Sequence, residues 1–412
     1  MNHCNKKFNN LFYIPLPPPY AGPEFVSQYL WDAYSRKHRD AICLNATLRA
    51  SNNEKGKIDL KGIWGTLKLY GKFVHALIRH RPRVVYLLFS SARMAFLRDA
   101  VNIMTAKAFG CKVVGHYHGG NFHRFFEAQS PRWQQLIRSV LRKIDTIIVL
   151  GKNLRPMFQQ IDPSLNLAVL YNGLPPAQFV FAEKRNEDKD VKLFFMGHLT
   201  FAKGFYDLVA AYKKLRTKYP FLRLHIAGTP HGQEHAGQIA SFLSGKNKTF
   251  YLDNLEMVHR EIDEMVLSPD KFGAMNHGVL DFAGKLEVFA KADVVILPSY
   301  TEGFSMSMLE AMFMGKPVVV SNVGALPEVV HDGENGFVIE PGDVEALQDR
   351  LARLIESPEL RCKIGQTNAT AARERFSIER MADDLNCIFK KTVSNRKKHS
   401  ENEFALSQHI SA

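Results

Sequence analysis

Two glutamates stand eight positions apart in the run Pro298-Ser-Tyr-Thr-Glu302-Gly303-Phe304-Ser305-Met-Ser-Met-Leu-Glu310-Ala-Met-Phe-Met-Gly315-Lys-Pro317-Val-Val-Val. The run reads as a strand end, a glycine turn, a helix, a glycine stop and a buried strand. The preceding Asp293-Val-Val-Ile-Leu297 is short, apolar and β-branched, as a covered parallel strand should be. The helix is predicted from near Ser305 to Met314, with Gly315 ending it and Pro317 barring its continuation. A helix that opens at the carboxyl end of a parallel strand presents free backbone N–H groups. Such a place binds phosphate without needing a metal. Carboxylates beside it cannot serve to attract phosphate. They suit accepting hydrogen bonds from sugar and ribose hydroxyls, or balancing a cation. The alternative reading is a pair of helix-start carboxylates that complement the macrodipole.

Other residues fall at comparable places. Gly197-His198-Leu-Thr-Phe-Ala-Lys203-Gly204 follows a predicted strand and precedes a predicted helix, Gly204–Arg216. Lys203 there can neutralise a diphosphate; otherwise it is a solvated lysine placed against the helix dipole. His198 reads either as a second contact or as a polar strand end. Pro17-Pro18-Pro19-Tyr20-Ala21-Gly22-Pro23 follows the first strand, with Gly22 as a tight turn and Pro23 as the first helical residue. It reads as a second anion-facing helix start or as a rigid connector. His116-Tyr-His118-Gly119-Gly120 ends another strand, and both imidazoles share one face. A zinc pair has no third ligand nearby in sequence, so His118 is expected to act alone. Asn172-Gly173 reads as a structural turn.

The elements that must position these residues alternate between strand and helix throughout. Predicted strands cover 11–14, 41–45, 84–89, 112–118, 146–150, 167–171, 192–196, 222–227, 294–297, 318–321 and 336–339. Helix-length spacers between them argue for parallel sheets, whose carboxyl ends hold the ligand crevice. The chain therefore reads as α/β, with two Rossmann-like domains facing each other across a cleft. The first domain is expected over 1–175 and the second over 191–376. The charged segment Glu183-Lys-Arg-Asn-Glu-Asp-Lys-Asp190 lies in the linker between them. The last residues, 394–412, are expected to form a flexible tail.

The 412 residues carry a net charge of +13. Residues 1–175 contribute +16 and the remainder −3. A basic first half suits nucleic acid, an anionic membrane or an acidic acceptor, and no nucleic-acid motif is present. No run reaches the length of a membrane span, and the N-terminus lacks the apolar core of a signal peptide. The five cysteines are scattered without metal or disulfide spacing, which fits a reducing cytosol.

Glu302 with Glu310, the Gly197…Lys203-Gly204 turn, His118-Gly119 and Asn172-Gly173 together resemble the retaining glycosyltransferases of family four, which have the GT-B fold. The most specific part is the paired glutamates with Ala311-Met312…Gly315-Lys-Pro317-Val-Val. The resemblance covers nearly the whole chain. It implies a nucleotide-diphosphate sugar, with a UDP- or GDP-sugar as donor, held mainly by the second domain, with no cofactor and no metal. Lys203 would contact the diphosphate, helped by the amides of Gly303, Phe304 and Ser305 and by Gly22 and His198. Glu310 would bind ribose, Glu302 the transferred sugar, and His118 that sugar's hydroxyls. The resemblance further implies a glycan or lipid-linked acceptor in bacterial surface polysaccharide synthesis, and a cytoplasmic site at the inner membrane face. The C-terminal helix, residues 378–392, would return onto the acceptor-side first domain. The chain departs from the family at His198, where arginine is usual, and in the long stretch 229–277, read as a loop carrying a helix at Glu256–Val266. The basic amphipathic stretch Thr66–Arg83 suits an anionic membrane surface or a core-packed helix with a solvated face. The rival functions are a nucleotide-sugar epimerase on the same fold and a non-catalytic sugar-nucleotide-binding subunit.

Overall fold

A computed structural model describes residues 9–18, 22–48, 60–179, 190–230 and 236–409. The chain divides into two compact units. One comprises Met1–Gly173 with Ile378–Ala412, and the other Leu174–Ser377. The charged core of the linker, 183–189, lies outside the described residues.

The first unit runs β1 (Asn10–Ile14), α1 (Gly22–Lys37), β2 (Ala41–Asn45), α2 (Leu60–His80), β3 (Val84–Leu88), α3 (Arg93–Ala108) and β4 (Lys112–His116). It continues through α4 (Phe122–Glu127), α5 (Pro131–Leu141), β5 (Thr146–Val149), α6 (Pro156–Gln159) and β6 (Leu167–Val169). The second unit holds β7 (Val191–Met196), α7 (Phe205–Lys218), β8 (Leu222–Ala227), α8 (Ala236–Ser241), α9 (Gly245–Asp253), α10 (Leu255–Leu267) and β9 (Ala274–Asn276). Then come α11 (Phe282–Lys291), β10 (Val294–Leu297), α12 (Met306–Phe313), β11 (Val318–Ser321), α13 (Leu326–Val329), β12 (Phe337–Ile339), α14 (Val344–Glu356) and α15 (Pro358–Arg375). The last helix, α16 (Ile378–His409), belongs to the first unit.

Each unit is one six-stranded parallel sheet, ordered β2-β1-β3-β4-β5-β6 in the first and β12-β11-β10-β7-β8-β9 in the second. Apolar runs without polar alternation, such as Val294–Leu297 and Val318–Ser321, are buried on both faces because helices cover both. The second order, taken from β9, is that of a dinucleotide-binding Rossmann sheet. Its strand order reverses between β7 and β10, so the carboxyl ends of those two strands flank the crevice. In the first sheet the reversal lies between β1 and β3.

Three readings change. The stretch 229–277 is not a loop: α8, α9 and α10 fill it and deliver the short edge strand β9, which pairs with β8. Tyr251, Val258, Ile262 and Met265 from those helices enter the unit's core. Helix α16 runs on through the backbone at 394–409, where the sequence suggests a flexible tail. It packs on α1, where Lys37 pairs with Asp383 at 2.8 Å, and Thr392 meets Thr146 at 2.8 Å. Gly22 is the first residue of α1, one position earlier than a turn before Pro23 would place it.

Asp207, in the first turn of α7, is buried beside the β7–β10 crevice. Burial raises its carboxyl to about 7, opposed by a hydrogen bond with Tyr300, and its Oδ2 has no partner. An acid whose folded pKa exceeds its unfolded value binds its extra proton in the fold. Stability then falls as pH rises from the usual carboxylate range to about 7. Asp207→Asn removes that dependence. Over this window the wild type is expected to lose stability relative to the variant by a few kcal/mol, at roughly 1.4 kcal/mol per pH unit. Urea unfolding of both proteins as a function of pH checks it, and parallel profiles would contradict the burial argument.

Candidate functional site

The crevice of the second unit is built by close backbone contact. After β7 the chain makes a 3-10 turn, Phe201–Lys203, and Gly204 follows with φ 69°. A Cβ at Gly204 would lie 2.0 Å from the Pro298 carbonyl oxygen, so only glycine allows this approach. The Tyr300 N–H donates to the Ala202 carbonyl at 3.0 Å. The segments after β7 and after β10 are thereby joined, and Lys203 arrives beside Glu302. Lys203 is thus the end of a 3-10 turn, and the left-handed glycine separates it from α7. From the other side, Gly324 (φ 57°) lies against the Glu302 carbonyl, 2.1 Å from where a Cβ would stand. The Ala325 N–H donates to the Gly303 carbonyl at 3.0 Å.

Lys203 Nζ lies 2.6 Å from Glu302 Oε1, with the two side chains 30% and 13% exposed. The Ser299 hydroxyl donates to the same oxygen at 3.0 Å. Phe304 and Ser305 are buried. Ser305 caps α12, its Oγ accepting from the Met308 N–H at 3.3 Å. In the second turn of α12, Glu310 is buried and bound by Lys285 Nζ from α11 at 2.5 Å. Burial pushes the Glu310 carboxyl up and Lys285 pulls it down, with burial the larger effect. Its Oε2 is buried with no partner. That leaves one acceptor available for a ligand's hydroxyl. His198 is exposed after β7, and its carbonyl accepts from the Thr200 N–H at 2.8 Å.

The structure therefore unites Lys203, Glu302, Gly303, Phe304 and Ser305 around the start of α12. Two lysine–glutamate pairs, Lys203–Glu302 and Lys285–Glu310, bracket that helix start in sequence. Lys285 and Ser299 are absent from the sequence reading. Ser299 stands three residues before Glu302 and could have been found as a local donor. Lys285 could not, because no pattern couples positions 285 and 310.

In the first unit, His118 follows β4. Its Nε2 lies 3.1 Å from His116 Nδ1, which is 2.6 Å from the hydroxyl of Tyr86. His116 and Tyr86 are fully buried. Tyr86, His116 and His118 form a buried chain of contacts through His116 Nδ1, whose donor and acceptor roles follow from the imidazole tautomers. Burial lowers the His118 pKa to about 4, so the imidazole is neutral at physiological pH. Gly22 is exposed at the start of α1, and Glu24 behind it is buried. Among the described residues, no three His, Cys, Asp or Glu side chains gather into a group that could hold a metal.

Comparison with known proteins bears on the family and the fold. The model of the family Glycosyl transferases group 1 matches residues 276–370. The glycogen synthase of Mycobacterium tuberculosis is 29% identical over 242 residues, 58% of this chain and 51% of that protein. The MMP alpha-(1->4)-mannosyltransferase of Mycolicibacterium hassiacum is 39% identical over 108 residues, 26% of each chain. The chain thus spans about half the length of that glycogen synthase and a quarter of the mannosyltransferase. Among solved structures, the sucrose-phosphate synthase of Thermosynechococcus elongatus superposes with a TM-score of 0.68 at 15% identity, over 94% of this chain and 100% of that one. HepE of Anabaena, solved with UDP and glucose, gives 0.65 at 17%, over 93% and 99%. These likenesses show a shared fold, GT-B. The matched segment contains Lys285, Glu302 and Glu310 and the whole of α12. Residues 276–370 thus match the glycosyl transferases group 1 model, within a chain that has the GT-B fold.

Proposed function

We propose that this protein is a retaining glycosyltransferase that moves a sugar from a UDP- or GDP-sugar to a glycan or lipid-linked glycan. The observation that carries the reading is the Lys203–Glu302 pair at 2.6 Å, set at the strand reversal of the second sheet where α12 opens. Support for a nucleotide-sugar donor comes from HepE, solved with UDP-glucose at a TM-score of 0.64 and 18% identity over 93% of this chain and 99% of that one. A role in bacterial surface polysaccharide synthesis, at the inner face of the cytoplasmic membrane, fits a glycan acceptor.

In this reading the donor diphosphate rests on the amides that open α12, at Gly303, Phe304 and Ser305, with Gly22 and His198 as further contacts. Lys203 is the countercharge. Without donor, Glu302 neutralises Lys203. With donor, the lysine turns to the departing phosphate, and Glu302 is released to accept hydrogen bonds from the transferred sugar. The unpartnered Oε2 of Glu310 accepts from ribose. The neutral imidazole of His118 hydrogen-bonds a hydroxyl of the transferred sugar. The bond from anomeric carbon to phosphate oxygen breaks through an oxocarbenium-like state. The acceptor oxygen bonds that carbon on the face the phosphate leaves, and its proton passes to the phosphate oxygen. A lysine and a helix dipole supply the positive potential this requires, so the reading needs no metal and no cofactor.

A panel of nucleotide sugars tested by thermal shift identifies the donor. A ligand present at a hundred times its Kd adds ~2.7 kcal/mol, and chelator is expected to leave both binding and turnover intact. Lys203→Met is expected to lower kcat/KM roughly 10²–10³-fold, the scale of losing one charge-stabilising donor. Glu302→Gln is expected to lower it too, and the double variant to fall short of the product of the single effects. Independent, multiplicative effects would separate the two residues and count against the pair. For His118, imidazole NMR is expected to show the ring still neutral well below 6.5 and charging only near 4. Its folded pKa lies below its unfolded one, so its contribution to stability is complete above 6.5 and is lost as pH falls toward 4. A midpoint near 6.5 would contradict the burial of this ring.

A further inference from the structure

We propose that Asp207 is a positioning residue for the donor site, and that through Tyr300 it makes the hold on Lys203 and Glu302 depend on pH. The proposal deepens the donor-site reading and rests on it. Asp207 stands in the first turn of α7, 5% exposed, and its Oδ2 is buried with no partner. The Tyr300 hydroxyl donates to its carboxyl group. Tyr300 is also the residue that joins the two sides of the crevice. Its N–H donates to the carbonyl of Ala202, the residue before Lys203. Its ring stacks on Phe201 with centroids 5.0 Å apart and 17° between the planes. Glu302 follows two positions later. Asp207 therefore anchors the far end of a side chain whose other two attachments hold the turn that carries Lys203.

The charged groups on the elements around α7 have other partners. Lys203 and Glu302 pair with each other. From α10, Glu261 and Glu264 lie 2.5 and 3.4 Å from Lys213. From α14, Arg350 pairs with Asp332 at 3.4 Å and Arg353 lies over the Phe337 ring at 4.7 Å, while Glu345 and Asp349 are exposed. Asp343, next to the glycine that faces the Tyr300 hydroxyl, caps α14 by accepting from the Ala346 N–H at 2.8 Å. Tyr206, beside Asp207 in sequence, is pushed up by burial and so stays neutral. Burial likewise keeps Tyr300 a hydroxyl. What acts on Asp207 is burial, which raises its carboxyl to about 7, against the Tyr300 bond, which lowers it. Above that midpoint the carboxylate accepts a charge-assisted bond, about twice as strong as the neutral bond below it. Tyr300 is then held harder, and the turn bearing Lys203 with it. Ionising a buried acid also costs stability. The site therefore tightens over the same pH window in which the fold weakens, whereas an acid with a purely structural role would move both in one direction.

Calorimetric titration of the full chain with UDP and with GDP, at pH values on either side of about 7, tests this in the wild type, Asp207→Asn and Tyr300→Phe. The second variant removes the hydroxyl alone and keeps the ring on Phe201 and the N–H on Ala202. The terminal phosphate of either nucleotide also titrates, near about 6, but it does so for every protein, so the difference between proteins is the readout. From one pH unit below the midpoint to one above, the wild-type Kd for the tighter nucleotide is expected to fall about fivefold more than that of either variant. Urea unfolding of the wild type is expected to show stability falling over the same window. Lys203→Met should also abolish the excess pH dependence, because the hold acts through that turn. Parallel binding profiles in wild type and Asp207→Asn overturn the proposal, and so does a Tyr300→Phe protein that keeps the wild-type profile. Should Asp207→Asn fail to fold, Tyr300→Phe decides. If neither nucleotide binds the wild type, the donor-site reading fails and this proposal falls with it. Binding with parallel profiles removes this proposal alone.

Discussion

The contact of Gly204 with the Pro298 carbonyl is the constraint from which the candidate site follows. Parallel strands in one sheet end at the same edge, but side chains on their following loops normally keep those loops apart. Here a left-handed glycine without a Cβ lets the turn after β7 lie directly on the segment after β10. The Tyr300–Ala202 backbone bond fastens it, and Gly324 closes the opposite side against Glu302. A lysine and a glutamate 99 positions apart in sequence are brought to 2.6 Å as a consequence. The strand reversal supplies the crevice, and the glycines make it narrow enough for one charge to answer another.

Electrostatics then decide what such a crevice can do. The start of α12 is the positive end of its helix dipole, and Lys203 adds a full charge next to it. Left uncompensated, this would be a costly concentration of positive potential in a half-buried place. Glu302 compensates Lys203, and Lys285 compensates the charge of the buried Glu310. A dianionic diphosphate can replace Glu302 as the partner of Lys203 because it brings more charge and more acceptor oxygens. The orphaned Oε2 of Glu310 marks a second unfilled interaction. A buried carboxylate with an unused lone pair is costly unless something fills it, and a neutral hydroxyl donor is the group that fits.

Much of this was legible in the sequence. The apolar β-branched runs placed eleven of the strands, because a strand covered on both faces is largely apolar. The glycine stop at Gly315 and the barrier at Pro317 fixed the end of α12 to within about two residues, in keeping with the ambiguity of helix ends. The edge strand β9 was missed because its three residues are short and half exposed, leaving no periodicity to read. The helical nature of 236–267 was only partly seen: α10 has a clear apolar stripe, whereas α8 and α9 are short and polar and are held by packing rather than by pattern. The partners of the site residues were the least legible. Lys285 and Tyr86 act through contacts made only after folding, and one sequence carries no mark of which distant side chain will meet which. Glu302 and Lys203 were readable because each stands beside a glycine at a strand end, where backbone geometry rather than side-chain pairing selects the residue.

The most direct measurement is the structure of the protein bound to a nucleotide-diphosphate sugar. The account predicts the pyrophosphate against the first-turn amides of α12, Lys203 Nζ within hydrogen-bond reach of a phosphate oxygen, and the Lys203–Glu302 contact opened beyond its present 2.6 Å. A nucleotide seated elsewhere in the second unit, with that contact intact, would contradict it.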